Sequence, residues 1–97
     1  MDHIQISHLE DLRKFETEIE GKKGVAEYLQ VSNRIIFTHT EVHPSLEGRG
    51  VASQLARHVL EYARDNGFEV MPLCPYIAGY IGRHPEYRPL VMKGINV

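Results

Sequence analysis

Between Val51 and Ala63 the apolar residues fall at Val51, Ala52, Leu55, Ala56, Val59, Leu60 and Ala63, two adjacent i, i+4 rows that form one broad stripe. Ser53, Gln54, Arg57, His58, Glu61, Arg64 and Asp65 take the other side. A helix so patterned must lie on something apolar, and strand-like runs flank it. Arg34–Val42, carrying Ile35, Ile36, Phe37 and Val42, precedes it, and Phe68-Glu69-Val70-Met71 follows. A strand, helix, strand order of this length requires the new strand to run parallel to a neighbour in the same sheet. The helix is expected over about 49–65, with Asn66-Gly67 suited to a left-handed stop.

The chain ahead of that unit reads as antiparallel. Phe15, Thr17 and Ile19 alternate with Glu16, Glu18 and Glu20, which predicts a half-buried strand from about residue 14 to Gly21. Ser7-His8-Leu9-Glu10 is also compatible with a capping box before a short helix carrying Leu9 and Leu12. Glu20-Gly21-Lys22-Lys23-Gly24 reads as a hairpin loop, and Val25, Glu27, Leu29 and Val31 then alternate with Ala26, Tyr28 and Gln30 in a second strand. Ser32-Asn33 makes a tight turn on the tolerance of Asn for positive φ. After the long helix, the parallel strand stops at Pro72. Tyr76, Ile77, Tyr80 and Ile81 then recur at helical spacing, with Pro75 at the first helical position and Pro85 as terminator. The expected class is α+β with an α/β-like half: a meander of three strands, long helix, parallel strand, short helix and C-terminal segment, one domain over 1–97.

Composition narrows the functions. At 97 residues the chain buries roughly 65% of its unfolded surface, enough for one core. A formal net charge of −2 argues against a nucleic-acid surface, which needs clustered Lys and Arg. No apolar run approaches the ~20 residues of a membrane span, and Met1-Asp2-His3 opens nothing like a secretory leader, so a cytoplasmic protein is expected. Six scattered histidines and one cysteine show no close ligand-pair spacing, and no metal site is expected.

Two places carry chemistry. In His43-Pro44-Ser45-Leu46-Glu47-Gly48-Arg49-Gly50-Val51 the two glycines leave backbone N–H groups uncovered just where a helix begins with its first donors unpaired and its dipole positive. An anion such as a phosphate suits that place, although an ordinary strand-to-helix turn has the same form. Cys74, held between Pro72 and Pro75, falls at the mouth of the second helix, where a thiolate is stabilised and can act as a nucleophile. Equally, a lone cysteine of this kind fills a core.

These residues resemble a known family. His39-Thr40-Glu41-Val42 followed by Leu46-Glu47-Gly48-Arg49-Gly50-Val51-Ala52, then Pro72-Leu73-Cys74-Pro75-Tyr76-Ile77 and Arg83-His84-Pro85-Glu86-Tyr87, look like the small GCN5-related N-acetyltransferase-like proteins of the YjdJ type. The resemblance implies a glycine turn that grips the pyrophosphate of coenzyme A through backbone amides, here at Gly48, Arg49, Gly50, Val51, Ala52 and Ser53. Glu47 stands where the family has a basic or amide residue and is expected to make no contact. It further implies that the strand end at Thr40 and Val42 opens to pair with the pantetheine arm, and that Cys74 matches the cysteine proposed as catalytic. Glu41 and His43 are the base candidates, and Arg83 and His84 match a tail motif that either caps the helix or contacts a CoA phosphate. The implied function is transfer of an acetyl group from acetyl-CoA to an amine acceptor, a small amine or a protein, directly or through Cys74. A non-catalytic acyl-CoA-binding or regulatory module and a cofactor-free thiol enzyme are the alternatives. The N-terminal helices that wall the acceptor side in larger relatives have no counterpart, which implies an open acceptor face.

Overall fold

The computed structural model describes residues 4–97; Met1-Asp2-His3, on which the reading of the leader rests, lies outside the described residues. Five strands form one sheet in sequence order: β1 (Ser7–Leu9), β2 (Lys14–Ile19), β3 (Lys22–Val31), β4 (Arg34–Val42) and β5 (Glu69–Pro72). The first four run antiparallel to their neighbours, and β5 lies parallel to β4 with Arg34 opposite Glu69 and Phe37 opposite Pro72. The expected meander and the parallel fifth strand are both present, joined by α1 (Val51–Asp65) and followed by α2 (Pro75–Arg83). Among the described residues no helix is long and apolar enough to cross a membrane.

The N-terminal stretch resolves as strand. Ser7, His8 and Leu9 pair with Glu16, Phe15 and Lys14, and the capping-box helix shrinks to one 3₁₀ turn, Glu10–Leu12, closed by Arg13 in the left-handed region. What pins β1 is the His8 ring, stacked on Phe15 at 4.0 Å and edge-on to Tyr62 of α1 at 4.8 Å. The Tyr28 hydroxyl and His8 Nε2 share a hydrogen bond at 2.5 Å, and His8 Nδ1 lies 3.9 Å from the Glu10 carboxylate.

One turn is tighter than expected, and the other differs only in which residue takes the positive φ. The first hairpin bends at Glu20 and Gly21, both at positive φ, so Lys22, Lys23 and Gly24 belong to β3. Gly24 is in the sheet because α1 lies directly over it: a Cβ there would meet Leu55 Cδ1 and Val51 Cγ1 at 3.2 Å. In the second turn Ser32, not Asn33, takes the positive φ. The first residues expected in α1 are also excluded from it, because Gly50 is left-handed.

Strand β4 contains a bulge. Phe37 opposes Tyr28 and His39 opposes Glu27, so Thr38 is an extra residue without a partner. The inward set therefore switches from Ile35 and Phe37 to Thr40 and Val42. Both helices cover this inward face. Phe15, Ala26, Tyr28, Ile35 and Phe37 meet Ala56, Val59, Leu60 and Ala63 of α1 and Ile77, Tyr80 and Ile81 of α2 in one core, and Leu46, Val51 and Leu55 form a smaller one.

The opposite face of the sheet has no helix upon it among the described residues. Val25, Leu29, Val31, Ile36 and Met71 form its apolar middle, with Leu29 53% and Val31 61% exposed. The charged residues around them are Glu16, Glu18, Glu27, Glu41 and Glu69 against Lys14, Lys23 and Arg34.

Two stability effects follow. Valine at Gly24 overpacks the contact with α1, and a loss of about 1–3 kcal/mol is expected in urea unfolding. His8 has its pKa lowered, first by burial and also by His58, against the opposing pull of Glu10. A folded-state pKa below the unfolded value makes the stability complete above pH ~6.5 and progressively lost as pH falls toward the folded value. The melting temperature should therefore be lower at pH 5.5 than at 7.5, and His8→Gln, which keeps an acceptor for Tyr28, should narrow the difference.

Candidate active site

The candidate site is built where β4 and β5 part. Pairing between them ends at Phe37 and Pro72, while β4 continues to Val42 with no neighbouring strand on that side among the described residues. Leu73 turns out into solvent and Cys74 returns, its N–H donating to the Phe37 carbonyl at 2.8 Å. That bond is the last link before the gap. Cys74 is the N-cap of α2, ahead of Pro75 as expected, and only 3% exposed. Its thiol donates to Thr40 Oγ1 at 3.4 Å. Thr40 faces inward only because the bulge at Thr38 has shifted the strand's alternation, so the bulge and the proline-flanked corner together create this pair.

The glycine turn lies at the far end of β4. His43 organises it: Nδ1 accepts from the Ser45 N–H at 3.1 Å and the Ser45 hydroxyl at 2.9 Å, starting the 3₁₀ turn Pro44–Leu46. Leu46 is buried and anchors the turn to the smaller core. Gly48 and Gly50 then adopt φ of 81° and 76°, which a Cβ disfavours, and the chain enters α1 with no side-chain cap. The first bond of α1 runs from the Gln54 N–H to the Gly50 carbonyl at 3.0 Å, so the amides of Val51, Ala52 and Ser53 face out of the helix mouth. Those amides open into a crevice of about 220 Å³ lined by Val42, Leu46, Glu47, Gly48, Gly50, Val51, Ala52, Ser53 and Tyr76. An anion fits this donor set.

The remaining sequence candidates are dispersed. Arg49 turns away to an ion pair with Glu20 at 3.3 Å. Arg83 lies 5.9 Å from the ring centre of Tyr76, and His84 stacks on Tyr80 at 4.0 Å, both at the C-terminal end of α2. Glu41 is on the opposite face of β4 from Thr40, exposed and bonded to His39 Nε2 at 3.0 Å. Neither Glu41 nor His43 is brought against Cys74. Glu47, expected to stand apart, borders the crevice.

Leu46 and Tyr76 are lining residues that sequence reasoning passed over. Their signal was positional: Leu46 is the one apolar residue in a polar turn, and Tyr76 lies in the first turn of α2. A further, half-buried bond secures the frame. The Tyr87 hydroxyl donates to Glu61 Oε2 at 2.6 Å, tying the C-terminal 3₁₀ segment Pro85–Leu90 to α1. Burial and the Glu61 carboxylate push the Tyr87 phenol up to about 12, while that bond, with Arg64 and Arg57, holds Glu61 below its ordinary value.

A five-stranded sheet with β4 and β5 parting over an uncapped, glycine-turned helix defines an α+β domain of the N-acetyltransferase fold. The solution structure of a GCN5-like candidate N-acetyltransferase from Staphylococcus aureus superposes with a TM-score of 0.70 at 25% identity, over 95% of this chain and 91% of that one. The GCN5-related N-acetyl-transferase family model matches residues 14–90, and the chain belongs to that family. Among curated relatives, Protein NATD1 of Gallus gallus is 32% identical over 85 residues, covering 84% of this chain and 77% of the relative. Protein NATD1 of Homo sapiens is 31% identical over 84% of this chain and 75% of its own length.

Alanine at Gly50 must either carry a left-handed backbone or rebuild the start of α1. A loss of about 1 kcal/mol is expected, read as a lowered urea midpoint with an unchanged m-value.

Proposed function

We propose that this chain binds acetyl-CoA and transfers its acetyl group to an amine. The observation that carries the reading is the alignment, along one edge of β4, of the outward-facing amides of α1, the unpaired strand end and the Cys74–Thr40 pair. In this reading the amides at Gly48, Gly50, Val51, Ala52 and Ser53 hold the diphosphate. The free backbone edge at Thr40 and Val42 pairs with the pantetheine amides, as a neighbouring strand would. Arg83 and His84 are assigned to the outer phosphate, with Arg83 steadied over Tyr76. Arg49 joins them by sharing or releasing Glu20.

The chemistry is acyl transfer. The amine nitrogen attacks the thioester carbonyl, a C–N bond forms, and the C–S bond breaks with its electron pair going to the CoA sulfur, which then takes up a proton. The proton lost by the amine goes to a base. Glu41 is assigned that role because it stands on the uncovered face beside the opening; His43, whose Nδ1 already caps the turn, is the second choice. In the covalent variant, the Cys74 sulfur attacks the same carbonyl after passing its proton to a base, CoA leaves, and the amine then takes the acetyl group from sulfur. Burial of Cys74 against Thr40 places it at the gap without committing it to either route. The reading treats 1–97 as one domain working in the cytoplasm with no metal.

One feature favours a second reading. Glu47 adds a negative charge to the rim of an anion crevice, which suits a module that holds acyl-CoA weakly and does not turn it over.

Calorimetry with CoA followed by incubation with radiolabelled acetyl-CoA and a primary amine tests these readings. Saturable CoA binding and label appearing on the amine are expected. CoA binding with no label on either amine or protein would leave only the second reading, and absence of CoA binding would eliminate both. Cys74→Ser should abolish label on the protein; transfer to the amine at the parent rate in that variant would assign direct attack.

A further inference from the structure

The 3₁₀ turn ahead of the glycines hangs on a histidine. Pro44 has no N–H, so the first donor of the turn is the Ser45 amide, and the acceptor that meets it is His43 Nδ1 at 3.1 Å. A backbone amide can only donate. Nδ1 is therefore bare of a proton, the ring is neutral with its proton on Nε2, and the Ser45 hydroxyl at 2.9 Å is a second donor to the same atom. From that cap the chain reaches the crevice through linked turns. The Leu46 N–H donates to the His43 carbonyl at 2.9 Å, Glu47 to Pro44 at 3.2 Å and Arg49 to Leu46 at 3.3 Å, and Gly50 and the open amides of α1 follow. Two further moorings hold the stretch, the His43 N–H on the Lys23 carbonyl at 2.9 Å and the buried Leu46 side chain.

We infer that His43 is a pH-sensitive positioning residue, whose neutral ring holds the glycine turn in its anion-binding form and whose protonation loosens that hold. The identity of the anion, a CoA diphosphate, rests on the acyltransferase reading; the switch lies in the turn itself. A proton arriving on Nδ1 converts it from acceptor to donor. It can keep the Ser45 hydroxyl by reversing that bond, yet it must lose the Ser45 amide, and an N–H of the imidazolium then faces an N–H of the backbone. Ser, Thr and Asn caps keep their acceptor throughout the range of about pH 5 to 8 in which histidine changes charge. The charged groups on the elements around the ring are Glu20, Lys22 and Lys23 of the hairpin, Glu41 of its own strand, and Glu47 and Arg49 of the turn; α1 has none before Arg57. Lys23 is engaged by Glu16 at 3.7 Å, Glu41 by His39 at 3.0 Å and Glu20 by Arg49 at 3.3 Å, and no carboxylate is paired with the His43 ring among the described residues. The new charge does little for the anion directly, because His43 is exposed and is not among the residues lining the crevice. Loss of the cap decides the sign.

Dephospho-CoA is the probe, since its diphosphate diester takes up no proton in this range whereas the phosphomonoester of CoA does. Its affinity for the parent, measured by calorimetry, should fall about fivefold between about pH 7.5 and 5.5, the size of a lost N-cap. His43→Asn supplies an acceptor that does not titrate and should flatten the profile, and His43→Ala should bind weakly at both ends of it. A role in packing alone would leave the profile of the Asn variant parallel to the parent's. Nitrogen NMR of the free protein reads the switch without any cofactor. The His43 proton should sit on Nε2 at the upper pH, and on acidification the Ser45 amide should shift together with the ring, with no such shift in the Asn variant. An unaltered slope in the Asn variant, tighter binding by the parent on acidification, or a Ser45 amide that ignores the titration of the ring overturns the proposal. Absence of dephospho-CoA binding at every pH, with the Ser45 amide still following the ring, would sink the acyltransferase reading and leave the switch in the turn standing.

Discussion

The fold depends on one packing event, the seating of the α1 stripe on the sheet. Val51, Leu55, Ala56, Val59, Leu60 and Ala63 are each no more than 1% exposed, and each fully buried Val or Leu among them is worth about 1.5–3 kcal/mol relative to exposure. The seat is shaped as well as apolar: Gly24 removes a side chain where Leu55 and Val51 come closest. Once α1 is in place, its first residues are fixed against the end of β4, and the direction of its unpaired amides is no longer adjustable. The crevice at the mouth of α1 is a by-product of how the helix is packed.

The gap between β4 and β5 has a similarly simple origin. Parallel strands stay together only while both supply donors and acceptors, and β5 is brought to a halt by Pro72 and by the outward turn at Leu73. Cys74 then restores one bond to Phe37 before the chain departs into α2. The result is an unpaired strand edge within a folded protein, protected by its position between two helices rather than by charge or proline. An extended polyamide of the right reach can complete that edge, and this is the physical reason for assigning it a pantetheine arm.

Much of this was legible in the residues. The helix stripe, the β-branched run at Arg34–Val42 and the parallel placement of β5 rest on periodicities sustained over many residues, and they appear as expected. Features set by contacts distant in sequence were not legible. Ser7–Leu9 is too short to show an alternation and is a strand because His8 fits against Phe15 and Tyr62. Gly24 looks like loop punctuation and is instead a contact point, since nothing local announces a helix passing overhead. The ion pair between Arg49 and Glu20, which lies in another turn, has no signal in the residues around either one. Glu41 and His43 are close to Thr40 in sequence, but the alternation of β4 puts Glu41 on the other face of the sheet and the capping of the turn engages His43 Nδ1.

The unpartnered Thr38 carries a wider implication for how such a chain tolerates change. In a ladder with period two, a single surplus residue acts as a phase switch: everything downstream trades inside for outside. Shortening β4 by one residue at that point would leave the sheet length almost intact while rotating His39 and Glu41 under the helices and turning Thr40 and Val42 to solvent. A change of length at this locus therefore decides which side chains of the strand end lie under the helices, and with them whether Thr40 can meet Cys74 at all.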